Sequence, residues 1–326
     1  MKAIVCTNYG PPEVLQLQEV NKPLPGVGDV LIKIVASTVT MGDVELRSLT
    51  LPLWTRIPMR LYMGYSKPRS FIPGMELSGI VESVGKNVAG FKPGDEVFGS
   101  SGMGMGANAE YICRPGTSPI ALKPANISFE QAATIPVGGI NALHFLRKAN
   151  CSSGKKVLVI GGGGAIGSYG VMLAKYYGAV VTAVDSTTKL EMLKKIGADH
   201  VIDYTGGPYL KNGGKYDIIF DTVYQSSYSD CINALTENGV YLMANTGPRR
   251  MFRTILTCLT SKKKTIFQFA PETAEDLTFL SNLIATGKIM PWIDKTYPIE
   301  KTAEAHAYVQ SGQKKGCVVI NVKDSL

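Results

Sequence analysis

Apolar residues in the first 120 positions fall in short runs broken by glycine and proline. VLIKIVAST (30–38), GIVESVG (79–85) and DEVFG (95–99) predict strands, with PGVGD and FKPGD as turns between them. Near residue 128 the period changes. Ser128 and Gln131 in SFEQAATI have the spacing of a capping box, and INALHFLRKAN carries a helix onward. Strand-like and helix-like runs then alternate: VLVI, a glycine turn and helix, VVTAVD, KLEMLKKIG, HVIDY, YDIIFD, SDCINALTE and GVYLMAN. Such alternation predicts a parallel sheet covered by helices on both faces. From about residue 265 the tail returns to mixed elements and closes on the strand GCVVINV. The pattern divides the chain into a strand-rich segment, 1–122, and an alternating segment, 123–264.

The run VLVIGGGGAIG (157–167) carries the sharpest chemical signal. Gly162, Gly164 and Gly167 fit G-x-G-x-x-G, a buried strand precedes them, and SYGVMLAKYYG follows with helical spacing of Val171, Leu173, Ala174 and Tyr177. Glycine there permits a tight turn, close approach of backbone to a pyrophosphate and packing of helix on strand, so that the helix N-terminus faces phosphate. Asp185 lies 18 positions past Gly167, where an acidic residue meets the ribose of a dinucleotide.

At 326 residues the chain is long enough for two cores. A hydrophobic fraction of 45% and a charged fraction of 18% describe a soluble globular protein. No apolar run reaches the roughly 18 residues of a bilayer span. MKAIVCTNYG reads as a strand and not as a signal peptide. The six cysteines are scattered without a C-x-x-C pair, which suits reduced thiols in a cytoplasm. The net charge of +8 clusters partly in Arg249, Arg250, Arg253 and Lys262 to Lys264, and partly in Arg56, Arg60, Lys67 and Arg69. Nucleic acid and anionic membrane are the sharp readings of such a balance. With no nucleic-acid motif, a solvated face that also helps hold an anionic cofactor is preferred.

Four stretches together carry a family likeness: FIPGMELSGIVESVGKNVAGFKPGDEVFG, KKVLVIGGGGAIGSYGVMLAKYYGAVVTAV, KKIGADHVIDY and AHAYVQSGQKKGCVVI. The chain resembles, over essentially its whole length, the zinc-free quinone oxidoreductase branch of the medium-chain dehydrogenases/reductases. The resemblance implies an α/β protein with a GroES-like β-barrel catalytic domain, made of 1–122 and completed by 265–326, around a doubly wound Rossmann nucleotide domain at 123–264. It implies reduction of quinones or α,β-unsaturated carbonyls with a nicotinamide cofactor, usually NADPH, commonly in homodimers. Where the zinc alcohol dehydrogenases of this superfamily carry ligands, this chain has Thr40, Met75 and a position near Val137, none a credible zinc ligand. No metal is expected.

Cofactor contacts implied by the resemblance begin with Gly163, Gly164, Ala165, Ile166 and Gly167 under the pyrophosphate and nicotinamide half. Ser186, Lys189 and Tyr204 match positions that hold the 2′-phosphate of NADPH, while Asp185 would favour NADH by repelling it. Three contacts against one favour NADPH slightly. Asn141, Thr222, Phe267 and Phe269 would lie around the nicotinamide and its ribose, and Lys315 would reach the cofactor from the tail.

Hydride transfer needs positioning and a group that meets charge on the acceptor oxygen. TMGDVELR (40–47) resembles the family's substrate loop and supplies Thr40 and Asp43 as candidates. Asp43 and Arg47, four residues apart, are more readily a helical ion pair than a catalytic pair. Glu45 stands where relatives often carry tyrosine, so Tyr62 or Tyr65 would have to donate the proton. Both tyrosines lie in an insertion, 49–70, that mixes apolar and basic residues. Prolines 52, 58 and 68 are expected to break any long amphipathic helix there, leaving a pocket wall or a packed decoration. Three functions fit: a quinone or enone reductase first, an unsaturated thioester or aldehyde reductase, or a low-turnover nicotinamide-binding sensor or structural protein.

Overall fold

Strand β1 (Lys2–Cys6) runs antiparallel to β2 (Leu15–Glu19), and β3 (Asp29–Thr38) is the ten-residue centre of the first large sheet. Val30, Ile32 and Ile34 share one face of it and are all buried in the core, while Lys33 on the other face is exposed. These coordinates form a computed structural model that describes residues 1–69, 71–210 and 214–322, so Ser70 at the end of the insertion and the last four positions of the tail lie outside the described residues. Next come α1 (Met41–Ser48), α2 (Leu53–Met63), β4 (Glu76–Val84), β5 (Glu96–Ser100), β6 (Tyr111–Pro115), β7 (Ile120–Leu122) and α3 (Phe129–Ala133). The Ser128–Gln131 capping box starts α3, each side chain bonding the other's backbone N–H.

From α4 (Pro136–Lys148) the chain alternates: β8 (Lys156–Ile160), α5 (Ala165–Tyr176), β9 (Val180–Asp185), α6 (Leu190–Lys195), β10 (His200–Asp203), β11 (Tyr216–Asp221), α7 (Tyr228–Ala234), β12 (Leu235–Met243), α8 (Pro248–Thr260) and β13 (Lys264–Phe267). The six strands order as β10-β9-β8-β11-β12-β13, all parallel. The order reverses between β8 and β11, and a doubly wound sheet takes its ligand at that switch point. The tail supplies α9 (Ala274–Ala285), β14 (Ile293–Pro298), α10 (Thr302–Gln310) and β15 (Cys317–Asn321). β15 pairs antiparallel with β3, giving the order β14-β15-β3-β4-β5-β7 with β6 also on β3.

Two compact units result, one of residues 1–137, 272–285 and 293–326, the other of 138–271 and 286–292. Ile32, Leu77, Val97 and Ile320 sit in the core of the first, and Leu158, Ile219, Tyr241 and Met243 in that of the second.

Three local expectations fail. Leu235 to Glu237 belong to β12 and not to the helix before it, because Leu235 is paired to Tyr216 of β11 and buried. The stretch 248–260, silent in the strand and helix reading, is a 13-residue helix. Pro58 does not break the insertion's helix: it sits inside α2, which continues to Met63, whereas Pro52 caps the start of this 11-residue helix and Pro68 lies beyond its end.

Candidate functional site: a glycine turn and a buried polar cluster

Between β8 and α5 the chain turns in four glycines. Gly161 adopts φ +79°, and a Cβ on it would lie 2.6 Å from the Thr222 hydroxyl oxygen. Gly161 and Gly162 both donate their N–H to the Val184 carbonyl, at 3.0 and 3.1 Å, which ties the turn to β9. Gly164 caps α5 and closes the turn by donating to the Gly161 carbonyl at 3.0 Å. Gly167 is the tightest position: a Cβ there would stand 2.1 Å from the Gly161 carbonyl oxygen. The first-turn amides of Ala165, Ile166 and Gly167 have no intrahelical acceptor by helix geometry, and the helix dipole makes that end attractive to an anion. Thr222, at the end of β11, donates its hydroxyl to the carbonyls of Ile160 (2.9 Å) and Gly161 (3.2 Å), so it braces the turn.

Asp185 ends β9 and is only 5% exposed. Its Oδ2 accepts from the Gly163 N–H at 2.8 Å and its Oδ1 from the Ser186 N–H at 2.8 Å, while Lys189 Nζ stands 3.2 Å from Oδ1. The carboxylate therefore pairs with Lys189 while folded in against the turn. Ser186 Oγ lies 3.5 Å from Asp185 Oδ1. Tyr204 is half exposed just past β10. Its neighbour Asp203 is in register with Asp185 across β10 and β9. Hydroxyl bonds from Thr187 and Thr205 hold the Asp203 carboxyl below the usual carboxylate range.

The remaining cofactor candidates scatter more. Asn141 is half-buried on α4, Phe267 ends β13 half-buried against the core of its unit, and Phe269, its ring 6.1 Å away, is 86% exposed. Lys315 lies between α10 and β15, its N–H bonded to Asp294 at 2.9 Å.

In the barrel unit, Thr40 and Asp43 form a capping box at α1. Asp43 Oδ2 accepts from the Thr40 N–H (2.8 Å) and hydroxyl (2.6 Å), its own N–H donates to Thr40 Oγ1 at 3.1 Å, and its Oδ1 accepts from the Gly74 N–H at 2.9 Å. Asp43 is fully buried, and burial raises its carboxyl above the ordinary value against these bonds. The expected Asp43–Arg47 ion pair does not form. Arg47, also fully buried, donates to the Gln310 side chain, and its Nε and Nη1 have no hydrogen-bond partner among the described residues. Nearby His306 is likewise buried with neither ring nitrogen bonded, and burial together with the Arg47 charge lowers it to about 3.

Glu76 is the group that spacing could not expose. It is buried, takes the Thr38 hydroxyl on one oxygen and the Val137 N–H on the other at 2.6 Å, and desolvation raises it to about 7. Thr40 Oγ1 also lies 3.7 Å from Met75 Sδ. Beyond this cluster a cavity of about 460 Å³ is lined by Tyr62, Met63, Arg69, Phe71, Ile72 and Met103 to Gly106. Tyr62 stands in its wall, 64% exposed, whereas Tyr65 is 73% exposed with the Arg60 guanidinium 5.8 Å from its ring. Glu45 is half-buried, and desolvation raises its carboxyl.

Residues 26–124 match the family model of the alcohol dehydrogenase GroES-like domain, and 196–320 match that of the zinc-binding dehydrogenases. The 2-methylene-furan-3-one reductase of Solanum lycopersicum is 34% identical over 98% of this chain and 79% of its own length. The NADPH-dependent alkenal/one oxidoreductase, chloroplastic, of Arabidopsis thaliana is 31% identical over 98% and 79%. The chain belongs to the quinone oxidoreductase-like medium-chain dehydrogenases/reductases. Among solved structures, the quinone oxidoreductase from Coxiella burnetii superposes with a TM-score of 0.88 at 26% identity, covering 99% of both chains. The protein is thus an oxidoreductase that works with a nicotinamide cofactor, built from a GroES-like and a Rossmann-type domain.

The name zinc-binding dehydrogenase raises the question of a metal. Thr40, Met75 and Val137 offer one hydroxyl bound to a carboxylate, one thioether and no side-chain donor, and both Glu76 oxygens already accept hydrogen bonds. Among the described residues no group of three or more His, Cys, Asp or Glu could hold a metal ion. These donors do not fit zinc.

Proposed function

We propose that this protein reduces a quinone or an α,β-unsaturated carbonyl with NAD(P)H and without zinc. The observation that carries the reading is the donor set around Thr40. With no zinc ligands there, the acceptor must arrive activated by its own conjugation. The names of the relatives, a furanone reductase, an alkenal/one oxidoreductase and a quinone oxidoreductase, support the same acceptor class.

A bound nicotinamide supplies the hydride; the protein supplies the setting. The amides of Ala165, Ile166 and Gly167 receive the pyrophosphate, and Thr222 holds the turn in shape. The methionine- and phenylalanine-lined cavity keeps water from the acceptor, and the Tyr62 phenol in its wall delivers a proton to the reduced product. Asp43 is a positioning residue: it fixes the Thr40 hydroxyl, which reaches an acceptor oxygen only by giving up its bond to Asp43. NADPH is favoured, with Ser186, Lys189 and Tyr204 toward the 2′-phosphate and Lys189 compensating Asp185. A second reading, NADH, rests on the paired strand ends Asp185 and Asp203, two carboxylates that oppose a phosphate. A homodimer and a cytoplasmic location complete the proposal, the second supported by six free, dispersed cysteines.

Steady-state NADPH and NADH oxidation against a panel of quinones, enones and unsaturated thioesters tests it. Acceptor-dependent oxidation with quinones or enones, insensitive to chelators, is expected. Oxidation confined to thioesters moves the substrate class, and none with any acceptor leaves a nicotinamide-binding sensor.

A further inference from the structure

The cavity beside the Thr40 cluster holds one formal charge. Tyr62, Met63, Phe71, Met103 and Met105 give its wall thioethers and aromatic rings, and Arg69 is the one charged residue in the lining. Local structure puts it there. Gly64 ends α2 at φ +132°, where a Cβ would stand 2.1 Å from the Lys67 carbonyl oxygen, and the Arg69 N–H closes the turn on the Met63 carbonyl at 2.8 Å. The Tyr9 hydroxyl braces the same turn, donating to the Gly64 carbonyl at 2.7 Å. The glycine–methionine stretch that forms another part of the wall is also fixed. Met105 is held at φ +49°, a left-handed backbone unfavourable for a side chain, and is buried against Met63 and Leu46.

Nothing in the protein neutralises Arg69. Its guanidinium has no ion pair or hydrogen bond among the described residues. The insertion 49–70 contributes Arg56, Arg60, Lys67 and Arg69 without an acidic residue. Glu272 does reach the wall, 3.3 Å from the place of a Gly102 Cβ, but its charge acts on Arg114. A pocket with apolar sides and a lone cation selects a ligand that has both parts. A planar guanidinium receives a carboxylate through two parallel hydrogen bonds, and methionine sulfur receives the edge or face of a flat conjugated body.

We infer that the acceptor carries a carboxylate and that Arg69 is the residue that selects it. The inference rests on the proposed reduction of quinones and unsaturated carbonyls and narrows it: the substrate is an anionic conjugated carbonyl. Met63 and Met105 pack in one cluster with Phe71 and Met75, and Met75 Sδ lies 3.7 Å from Thr40 Oγ1. A carboxylate held at Arg69 lays the conjugated part of the acceptor along these methionines toward Thr40. Arg69 meets the acceptor away from its reacting atoms, so it acts on binding and orientation.

Calorimetry with benzoylpropionate and its neutral amide, on the full chain with NAD(P)H present, reads the site without turnover. The acid is expected to bind at least about tenfold more tightly than the amide, with a preference that shrinks as salt is raised. Arg69→Gln erases the preference, whereas Arg69→Lys keeps it to within about threefold of wild type. The Arg69 side chain is exposed, and unchanged melting temperatures confirm that both variants fold. Equal binding of acid and amide by the wild type overturns the inference, as does a preference that survives Arg69→Gln. NAD(P)H oxidation with benzoylacrylate and its methyl ester then separates the site from the reaction. A ratio of kcat/KM for acid over ester that falls about tenfold in Arg69→Gln supports both. Reduction of both compounds with a ratio that Arg69→Gln leaves unchanged overturns the inference while the reductase reading stands. Acid-selective binding through Arg69 without reduction of any acceptor confirms the anion site and overturns the reductase reading.

Discussion

The glycine turn and the cluster around Thr40 are built from different materials. At the turn, backbone does the work: Gly167 lies so close to Gly161 that no side chain fits, and the groups proposed to receive the anion are main-chain amides. At the barrel cluster, side chains do it. Glu76, Asp43, Arg47 and His306 are all buried, and their partners come from distant stretches: Thr38, Val137, Gly74 and Gln310. A backbone site tolerates almost no change at its glycines but demands little of its neighbours. A side-chain cluster depends on who is buried with whom, and its behaviour follows pH.

The contrast is broken most severely at the turn. Gly167→Val places atoms inside the Gly161 carbonyl contact, and a loss on the order of 4 kcal/mol is expected by chemical denaturation, with cofactor binding abolished. A variant that keeps wild-type stability and cofactor affinity would refute the close approach.

The barrel cluster is read with pH. Glu76 titrates near 7 in the folded protein against 4.5 unfolded, so its contribution is fully present below pH 4.5 and is lost as pH rises toward 7. At 1.36 kcal/mol per unit that amounts to at most about 3 kcal/mol. Glu76→Gln keeps an acceptor for the Val137 N–H and removes this slope; urea unfolding across the window measures it. His306 acts with the opposite sign. Its folded value of about 3 lies below 6.5, so its contribution is present above pH 6.5 and lost as pH falls toward 3.

Asp185→Gly sharpens the turn's specificity. Removing one carboxylate and freeing Lys189 shifts the ratio of NADPH to NADH dissociation constants toward NADPH by about tenfold. Equal constants before and after remove Asp185 from the ribose. The smallest effect belongs to Thr40→Ala, about 1 kcal/mol for a lost helix cap. A kcat that stays within about threefold assigns Thr40 to structure alone, whereas a fall of about a hundredfold puts its hydroxyl on the acceptor oxygen.

This difference in material also decided what could be read from the chain. The turn and the Ser128–Gln131 box are legible because their contacts lie within a few residues, so spacing encodes geometry. The i,i+4 spacing of Asp43 and Arg47 suggests an ion pair, yet Gly74 and Gln310, far along the chain, take their polar atoms instead. Glu76 gives no local signal, because its partners Thr38 and Val137 lie 38 and 61 positions away. Pro58 reads as a breaker, but a helix tolerates it here. Helix α8 escaped because Phe252, Ile255, Leu256 and Leu259 turn outward, which no rule about cores anticipates.

The pairing of β15 with β3 has a consequence for synthesis. The nucleotide unit is almost continuous, 138–271, so its six-stranded sheet is complete in the growing chain before the tail is made. The barrel sheet starts first and finishes last: β3 gains its partner β15 only after some 280 residues have intervened, from Thr38 to Val319. On the ribosome the second unit is therefore expected to fold ahead of the first, while the Ala36–Thr38 end of β3 waits for its partner. A nascent chain stalled before β14 should show protease resistance across 138–271 and cleavage within the first 120 residues.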